Sequence, residues 1–475
     1  MRIVFIEPKS PDLHIYSRIP LPRLGTILMA GILKNNGYEV EVQIEELGNL
    51  KINDIQKTDA VGISIITSTA PRGYKLADEL RESGKTVLIG GPHATYLPEE
   101  ALLHSDFVLR GEADETILPF IRTFEKNSGF DKIGGLSFWD KQLMVHNKKH
   151  SYCENLDNLP IPDFDLIGNW QKQMNVTPIM TSRGCPFDCE FCSVTDMFGR
   201  KYRFRGPEKV LAELEQHKRL IKQNKIKNSQ NWIFFYDDNF AINKKRTKEL
   251  LKAMISSKLT PRWTAQVSVD VADDEELLFL MAQSGCYLLY IGFESINPKT
   301  LEAYNKKQTV EKIKKAIEKI HRFTIRIHGM FVLGADTDDK ETISQTIKFA
   351  QRNYLETVQF LILTPLPGTR IFKKFIKDRR IINNDWSFYD AHHVVFQPKN
   401  FSAYGLQIQV IKAMLKFYAW SYIIKRIALI LLRFKDLKGG LIEISFELYG
   451  RKSVKEWLKK KKNWLQSLKT LKKNL

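Results

Sequence analysis

The chain has 475 residues, 43% of them hydrophobic, and a formal net charge of +19 at pH 7. This length is typical of two to four domains, and the apolar content is that of a globular protein with sizeable cores. No run of about 18 uncharged apolar residues occurs, which argues against a transmembrane helix. Few cysteines and a start that predicts a strand rather than a signal peptide argue against a disulfide framework and favour a cytoplasmic protein.

The first part of the chain, residues 1–130, alternates predicted strands and helices. Strands are predicted at 2–6, 38–44, 60–66, 87–89 and 107–109, and helices at 23–36 and 71–83. This alternation predicts a doubly wound, Rossmann-like parallel sheet, whose ligands bind at the carboxyl ends of the strands. Ser64 lies near one such end. Gly90 and Gly91 follow another, where glycine lets the backbone approach a ligand closely.

Residues 131–175 are predicted to hold a hairpin and a linker. Residues 134–139 and 142–145 form the two arms of the expected hairpin. Residues 156–163 are rich in proline and predict an extended connector between two domains.

Residues 176–370 predict a second α/β domain. Strands are expected at 177–181, 232–236, 263–267, 287–293, 325–333 and 358–363, with helices between them. Six strand–helix repeats predict a partial (β/α)6 barrel, in which the chemistry lies at the carboxyl ends of the strands. The residues found at those ends are Asp237, Asp238, Glu294 and Gly334.

One loop of this domain concentrates three of the five cysteines. Residues 181–192 read T-S-R-G-C-P-F-D-C-E-F-C and place Cys185, Cys189 and Cys192 in CxxxCxxC spacing. Soft thiolates gathered on one loop indicate a metal or a cluster. Three thiolates do not close a tetrahedral site. Either a fourth ligand, such as Cys153 or a histidine, completes a zinc site, or one metal position stays open for chemistry.

This loop, with the aromatic Phe191 before its last cysteine, resembles the signature of the radical S-adenosylmethionine (SAM) superfamily. The resemblance implies that the three cysteines hold a [4Fe-4S] cluster whose open iron is chelated by SAM. It also implies that Asp237 and Asp238 contact the SAM amino group, although acidic residues replace the usual glycine-rich motif. Glu294 would meet the ribose or methionine portion, and Gly334 would pack near adenine. The structural alternatives are that Asp238 caps a helix and that Glu294 is a loop-facing charge.

Placed before this motif, the first segment resembles a cobalamin-binding domain. The resemblance implies that Ser64, Gly90, Gly91 and His93 contact cobalamin. The usual D-x-H-x-x-G is missing, because residues 45–48 read E-E-L-G, so no lower axial ligand is assigned. The alternatives are a generic Rossmann-like domain and a packing role for His93. The segments P-L-P-R-L-G-T (residues 20–26) and L-R-G-E (residues 109–112) also resemble this combined family.

The combined resemblance implies a cobalamin-dependent radical SAM C-methyltransferase. In such an enzyme the reduced cluster cleaves SAM to a 5′-deoxyadenosyl radical, and methylcobalamin methylates the substrate radical. A reductant protein such as flavodoxin or ferredoxin is the expected partner, and no nucleic acid is expected. The alternatives are a radical cyclisation or rearrangement without methyl transfer, and a non-catalytic metal-binding protein.

The C-terminal region, residues 371–475, is predicted to be mostly helical and basic. Its last 25 residues hold ten Lys or Arg and one Glu. Apolar residues recur there at helical spacing, namely Trp457, Trp464, Leu468 and Leu471. An amphipathic, Trp-bearing basic helix suits a membrane interface, which predicts a lipid substrate and peripheral contact at the inner face of the membrane. The alternative is a helix packed on the barrel with solvated lysines.

Overall fold

The computed structural model describes residues 1–11, 21–168, 170, 174, 176–223, 232–433 and 437–474. Pro20, the first residue of the P-L-P-R-L-G-T segment, lies outside the described residues, as does the side chain of Leu471. Two sheets covered by helices, followed by a helical C-terminal region, make up the fold.

The first sheet has seven strands in the order β2-β1-β3-β4-β5-β6-β7. The strands are β1 Arg2–Glu7, β2 Glu39–Ile44, β3 Ala60–Ser64, β4 Thr86–Gly90, β5 Phe107–Leu109, β6 Leu136–Asp140 and β7 Leu143–His146. The helices are α1 Leu24–Asn35, α2 Ile52–Ile55, α3 Ala70–Glu82, α4 Pro92–Tyr96, α5 Pro98–Leu103 and α6 Ile117–Lys126. Strands β1 to β5 are parallel. The direction in which successive strands are added to the sheet reverses between β1 and β3. Doubly wound sheets bind ligands at such a point.

The predicted hairpin forms and extends this first sheet. Strand β6 pairs antiparallel with β5, and β7 pairs antiparallel with β6. The hairpin therefore packs as part of the first sheet, and the connector that follows leads to the second.

The second sheet is a parallel, open six-stranded barrel in the order β15-β14-β13-β12-β11-β8. Its strands are β8 Thr177–Ile179, β11 Trp232–Phe235, β12 Arg262–Val267, β13 Cys286–Glu294, β14 Arg326–Leu333 and β15 Thr357–Ile362, and the short strands β9 Ser182–Arg183 and β10 Arg203–Phe204 form a separate pair. Its helices are α7 Val194–Phe198, α8 Pro207–Lys222, α9 Lys244–Ser256, α10 Glu275–Gln283, α11 Pro298–Ala303, α12 Val310–Arg322, α13 Lys340–Arg352 and α14 Arg370–Lys377. The predicted fold class is confirmed.

Polar side chains fix where the barrel helices begin. Asp274, Thr309, Asp339 and Thr369 each accept a hydrogen bond from a backbone N–H in the first turn of the helix that follows. Such caps satisfy N–H groups that have no partner within the helix.

The C-terminal region packs on the barrel. Its helices are α15 Ala403–Phe417, α16 Trp420–Arg433, α17 Leu437–Lys460 and α18 Lys462–Asn474. Trp457, Trp464 and Leu468 are buried in the barrel core, with exposed fractions of 8%, 9% and 1%. The interpretation that these tryptophans face a membrane is wrong, because their apolar face is already covered by protein. Among the described residues, none of the helices combines the length and apolar character needed to span a bilayer.

Candidate active site between the two sheets

The cysteine loop lies between β9 and α7, at the carboxyl end of the barrel strands. Cys185, Cys189 and Cys192 are free, partly exposed thiols. The loop is closed by its own backbone, since the N–H of Cys192 donates to the carbonyl of Cys189 at 3.2 Å. The N–H of Cys185 donates to the carbonyl of Gly199 at 3.3 Å.

Residues distant in sequence hold this loop. Arg370 Nη1 donates to Asp188 Oδ2 at 2.9 Å, and Arg370 Nε lies 3.1 Å from Glu190 Oε1. The backbone N–H of Glu190 donates to the carbonyl of Tyr304 at 3.2 Å. Phe191, the aromatic residue of the motif, places its ring 5.0 Å from that of Tyr304 at 71°. No sequence pattern marks Arg370 or Tyr304 as site residues, because only the fold brings them to the loop.

The donor set fits an iron–sulfur cluster. Burial raises the pKa of all three thiols, that of Cys192 to about 12, and the neighbouring thiols of the loop raise the pKa of Cys185 and of Cys192 further. Among the described residues, no three His, Cys, Asp or Glu side chains gather closely enough to hold a single metal ion. Thiolates that ligate a cluster bind different iron atoms and need not converge on one point.

The two acidic residues after β11 have different positions. Asp237 is buried, and its Oδ1 accepts from the backbone N–H of Thr181 at 2.6 Å and of Ser182 at 3.0 Å. Its Oδ2 accepts from the Thr181 hydroxyl at 2.5 Å. All of these contacts fix the strand that leads into the cysteine loop, so Asp237 has a structural role instead of the predicted contact with SAM.

Asp238 faces the cavity beside the loop. Burial and the neighbouring Asp237 raise its pKa to about 6, and the backbone N–H of Gly184 donates to it. A carboxylate at this position is able to accept hydrogen bonds from an ammonium group. The structure therefore favours Asp238 over Asp237 for the predicted role.

Glu294 ends β13 beside the cysteine loop, in a left-handed backbone conformation with φ of 60°. It is buried, and its Oε1 lies 2.9 Å from Lys306 Nζ. The Lys306 ammonium opposes the effect of burial on the pKa of Cys189, while Glu294 adds to it. Lys306 is a further site residue that the sequence did not reveal.

Gly334 follows β14 with φ of 105°, and an added Cβ would lie 2.7 Å from the Leu406 side chain. Its N–H donates to Asp338 Oδ2 at 2.9 Å. Helix α15 therefore covers the Cβ side of Gly334. Its predicted packing near adenine stays a prediction.

A cavity of about 370 Å³ lies between the carboxyl ends of the two sheets. Ser64, Gly90 and Gly91 line it from the first domain, and their contact with cobalamin stays a prediction. The residues that line it from the barrel side include Ser182, Met197, Phe198, Tyr236, Asp238 and Gln266. The cavity therefore joins the predicted cobalamin side to the region of the cysteine loop.

Two observations show that the first domain's side of this cavity fits a bulky ligand with acceptor groups. Gly91 has φ of 97°, and an added Cβ would lie 2.4 Å from the carbonyl oxygen of Ile65, so the turn depends on glycine. Arg23 lines the cavity, and its Nη1 is buried without a hydrogen-bond partner in the described part of the chain. A buried unsatisfied donor is costly, and an acceptor on a bound ligand would satisfy it.

His93 does not line this cavity. It is fully buried, with Nε2 3.3 Å from Glu100 Oε1 and its ring 5.1 Å from that of Trp386. Trp386 also donates to Glu100 Oε1 at 2.9 Å. These contacts give His93 a packing role between the first domain and the C-terminal region, instead of the predicted contact with cobalamin.

The two domains are tied together beside the cysteine loop. Arg183 pairs with Asp114, its Nη2 donating to Oδ1 at 3.1 Å. Tyr96 of α4 donates to the carbonyl of Ser193, directly after Cys192, at 3.1 Å. The first domain therefore touches the loop that carries the cysteines.

Comparisons with known proteins agree with this arrangement. Residues 179–350 match the family model of the radical SAM superfamily, and residues 17–120 match that of the B12 binding domain. The bacteriochlorophyllide d C-12(1)-methyltransferase of Chlorobaculum tepidum is 31% identical over 427 residues, covering 89% of this chain and 88% of the relative. The chain therefore belongs to the radical SAM enzymes that carry a B12-binding domain, as the sequence predicted.

Two further similarities bear on fold and chemistry. The cobalamin-dependent radical SAM enzyme OxsB, solved with aqua-cobalamin and SAM bound, has the same fold at a TM-score of 0.73 and 17% identity, covering 95% of this chain and 71% of OxsB. The anaerobic magnesium-protoporphyrin IX monomethyl ester cyclase of Cereibacter sphaeroides is 26% identical, covering 84% of this chain and 67% of the cyclase. The family therefore includes both methyltransferases and cyclases.

Proposed function

We propose that this chain is a cobalamin-dependent radical SAM C-methyltransferase. The observation that carries the proposal is the cavity between the two sheets, lined by Gly90 and Gly91 on one side and by Asp238 and Met197 on the other. A reaction that uses two cofactors on one substrate needs both held at a common space, and the cavity provides it.

The residues of this chain have separable tasks in the proposal. Cys185, Cys189 and Cys192 would hold a [4Fe-4S] cluster. Asp238 would accept hydrogen bonds from the SAM ammonium, and Lys306 would offer a cation for the SAM carboxylate. When bound, these cofactors would supply a substrate-oxidising radical and a methyl group. The buried side chains of Met180 and Met197 line the cavity and would limit the access of water to it.

The substrate that suits this site is a polycyclic, mainly apolar molecule, either a lipid or a tetrapyrrole. Support comes from the apolar residues that line the cavity, which include Ile66, Met180, Met197 and Phe198. Two relatives are named for tetrapyrrole substrates, bacteriochlorophyllide d and magnesium-protoporphyrin IX monomethyl ester. The buried tryptophans of α17 and α18 no longer support a lipid in particular.

The test uses protein reconstituted without oxygen and supplied with dithionite and SAM that carries a trideuterated methyl group. We expect 5′-deoxyadenosine, bound corrinoid, and a labelled methyl group on carbon when cell-extracted lipids or tetrapyrroles are offered as separate substrate pools. Replacing any one of the three cysteines by Ala should abolish 5′-deoxyadenosine. Its formation at the wild-type rate by Cys189→Ala would refute the cluster assignment.

A cyclisation without methyl transfer is the second candidate, because a cyclase is among the relatives. The same experiment separates the two reactions. A cyclase would yield 5′-deoxyadenosine and a product that lacks the deuterated methyl group.

A further inference from the structure

Helix α14 begins in contact with the cysteine loop. The backbone N–H of Ile371 donates to the carbonyl of Glu190 at 3.3 Å. Arg370 binds Asp188 and Glu190, the two residues that flank Cys189. The first turn of this helix therefore lies directly against a residue of the candidate cluster site.

The helix has one apolar face and one basic face. Ile371 and Phe375 are buried, whereas Lys373, Lys374 and Lys377 are exposed. Together with Arg370, these lysines recur at the spacing that places side chains on one stripe of a helix. Ile376, 54% exposed, adds an apolar side chain next to this stripe.

Part of this positive charge has no partner. Arg370 is neutralised by the cysteine loop, and Lys374 Nζ lies 3.8 Å from Asp336 Oδ2. Within the described residues, Lys373 and Lys377 form no ion pair. Exposed cations around an apolar residue favour encounter with an acidic surface, and this steering weakens as salt is added.

We propose that the exposed face of α14 is the docking surface for an acidic one-electron carrier protein that reduces the cluster. This inference rests on the proposed function. One electron leaves the reduced carrier and enters the oxidised cluster, and no bond is made or broken. The helix is about 12 Å long, so a partner seated on Lys373 and Lys377 stands close to Cys189. Interfaces of this kind are small and transient.

The kinetic test compares two reductants. Flavodoxin, reduced by NADPH and flavodoxin reductase, represents the acidic carrier, and dithionite bypasses docking. We expect Lys373→Glu/Lys377→Glu to raise the flavodoxin concentration for half-maximal 5′-deoxyadenosine formation at least tenfold, with the dithionite-driven rate unchanged. The control is Lys348→Glu/Arg352→Glu on α13, which changes two exposed cations at the same spacing on another helix of the barrel.

A second readout needs no turnover. Carbodiimide, which joins lysines directly to carboxylates, should cross-link flavodoxin to Lys373 or Lys377 of the full-length holoenzyme, with a yield that falls at high salt. Cross-links elsewhere, or equal flavodoxin dependence of the α14 and α13 variants, would overturn the docking surface. Absence of 5′-deoxyadenosine with dithionite in the wild-type enzyme would instead refute the proposed function.

Discussion

Glu112 and Arg203 form a buried two-point ion pair across the boundary between the two sheets. Arg203 Nη1 donates to Glu112 Oε2 at 2.8 Å, and Nη2 donates to Oε1 at 2.5 Å. Their side chains are 3% and 2% exposed. Glu112 belongs to the L-R-G-E segment of the first domain, and Arg203 to β10, which pairs with the strand that leads into the cysteine loop. The pair thus connects the first domain's side of the cavity to the cysteine loop.

Replacing Glu112 by Gln should destabilise this boundary. The substitution keeps the shape but leaves the Arg203 charge buried and unpaired, which typically costs about 3–5 kcal/mol. We expect a lower midpoint of thermal unfolding and less iron per chain after reconstitution. The control is Glu115→Gln, because Glu115 is 46% exposed in its pair with His150. Equal effects of both variants would contradict the structural role of the buried pair.

Asp237 and Asp238 should respond differently to the same change. Asp237→Asn removes a buried charged acceptor from three hydrogen bonds and should cost about 2–3 kcal/mol of stability. Asp238→Asn should leave the thermal midpoint within a few degrees and weaken SAM binding roughly tenfold, about 1.4 kcal/mol. Thermal unfolding and calorimetric titration with SAM measure the two effects. A SAM affinity of Asp238→Asn equal to the wild type would remove Asp238 from the site.

Gly91→Ala should abolish corrinoid binding. Its Cβ would meet the carbonyl oxygen of Ile65 at 2.4 Å, and the turn would have to move away from the cavity. Gly84→Ala is a matched control, because Gly84 also has a positive φ, of 78°, but nothing lies within 4 Å of an added Cβ. Both variants carry backbone strain of about 1 kcal/mol. Only Gly91→Ala should lose the corrinoid absorbance of the purified protein.

The sequence predicted the features that follow from local patterns. The positions of the strands along the chain and the position of the cysteine loop depend on hydrophobic runs and on residue spacing within a few turns. Contacts such as Arg370 with Asp188 depend on residues 182 positions apart, and no local pattern encodes them. Lys306 was missed for the same reason, since two adjacent lysines after a short helix give no signal of a site.

Two errors have a common physical cause. A side chain's surroundings cannot be inferred from its position after a strand, and Asp237 turns toward Thr181 while its neighbour Asp238 faces the cavity. Similarly, the apolar stripe of the tail predicts that something covers it without showing what. Trp464 donates to Gln407 Oε1 at 3.0 Å and stacks on Phe388, so the covering surface is the protein itself.

His328 should make the barrel sensitive to acid. It is buried on β14 with Nδ1 2.7 Å from Thr357 Oγ1, and burial lowers its pKa from 6.5 to about 4. Because the unfolded chain takes up the proton first, stability is constant above the unfolded pKa and falls as the pH drops from about 6.5 to about 4. The loss is about 1.4 kcal/mol at pH 5.5 and on the order of 3 kcal/mol in total.

Thermal unfolding at pH 7.5 and at pH 5.5 measures this effect. The unfolding midpoint of the wild type should be lower at pH 5.5 than at pH 7.5. That of His328→Gln should decrease less, because the glutamine has no proton to take up. His150→Gln is the control, since the His150 side chain is 30% exposed on the first domain. Its replacement should leave the difference in midpoint between the two pH values as large as in the wild type. An identical pH response of His328→Gln and the wild type would show that His328 is not the group that titrates, and that acid acts on the barrel through another residue.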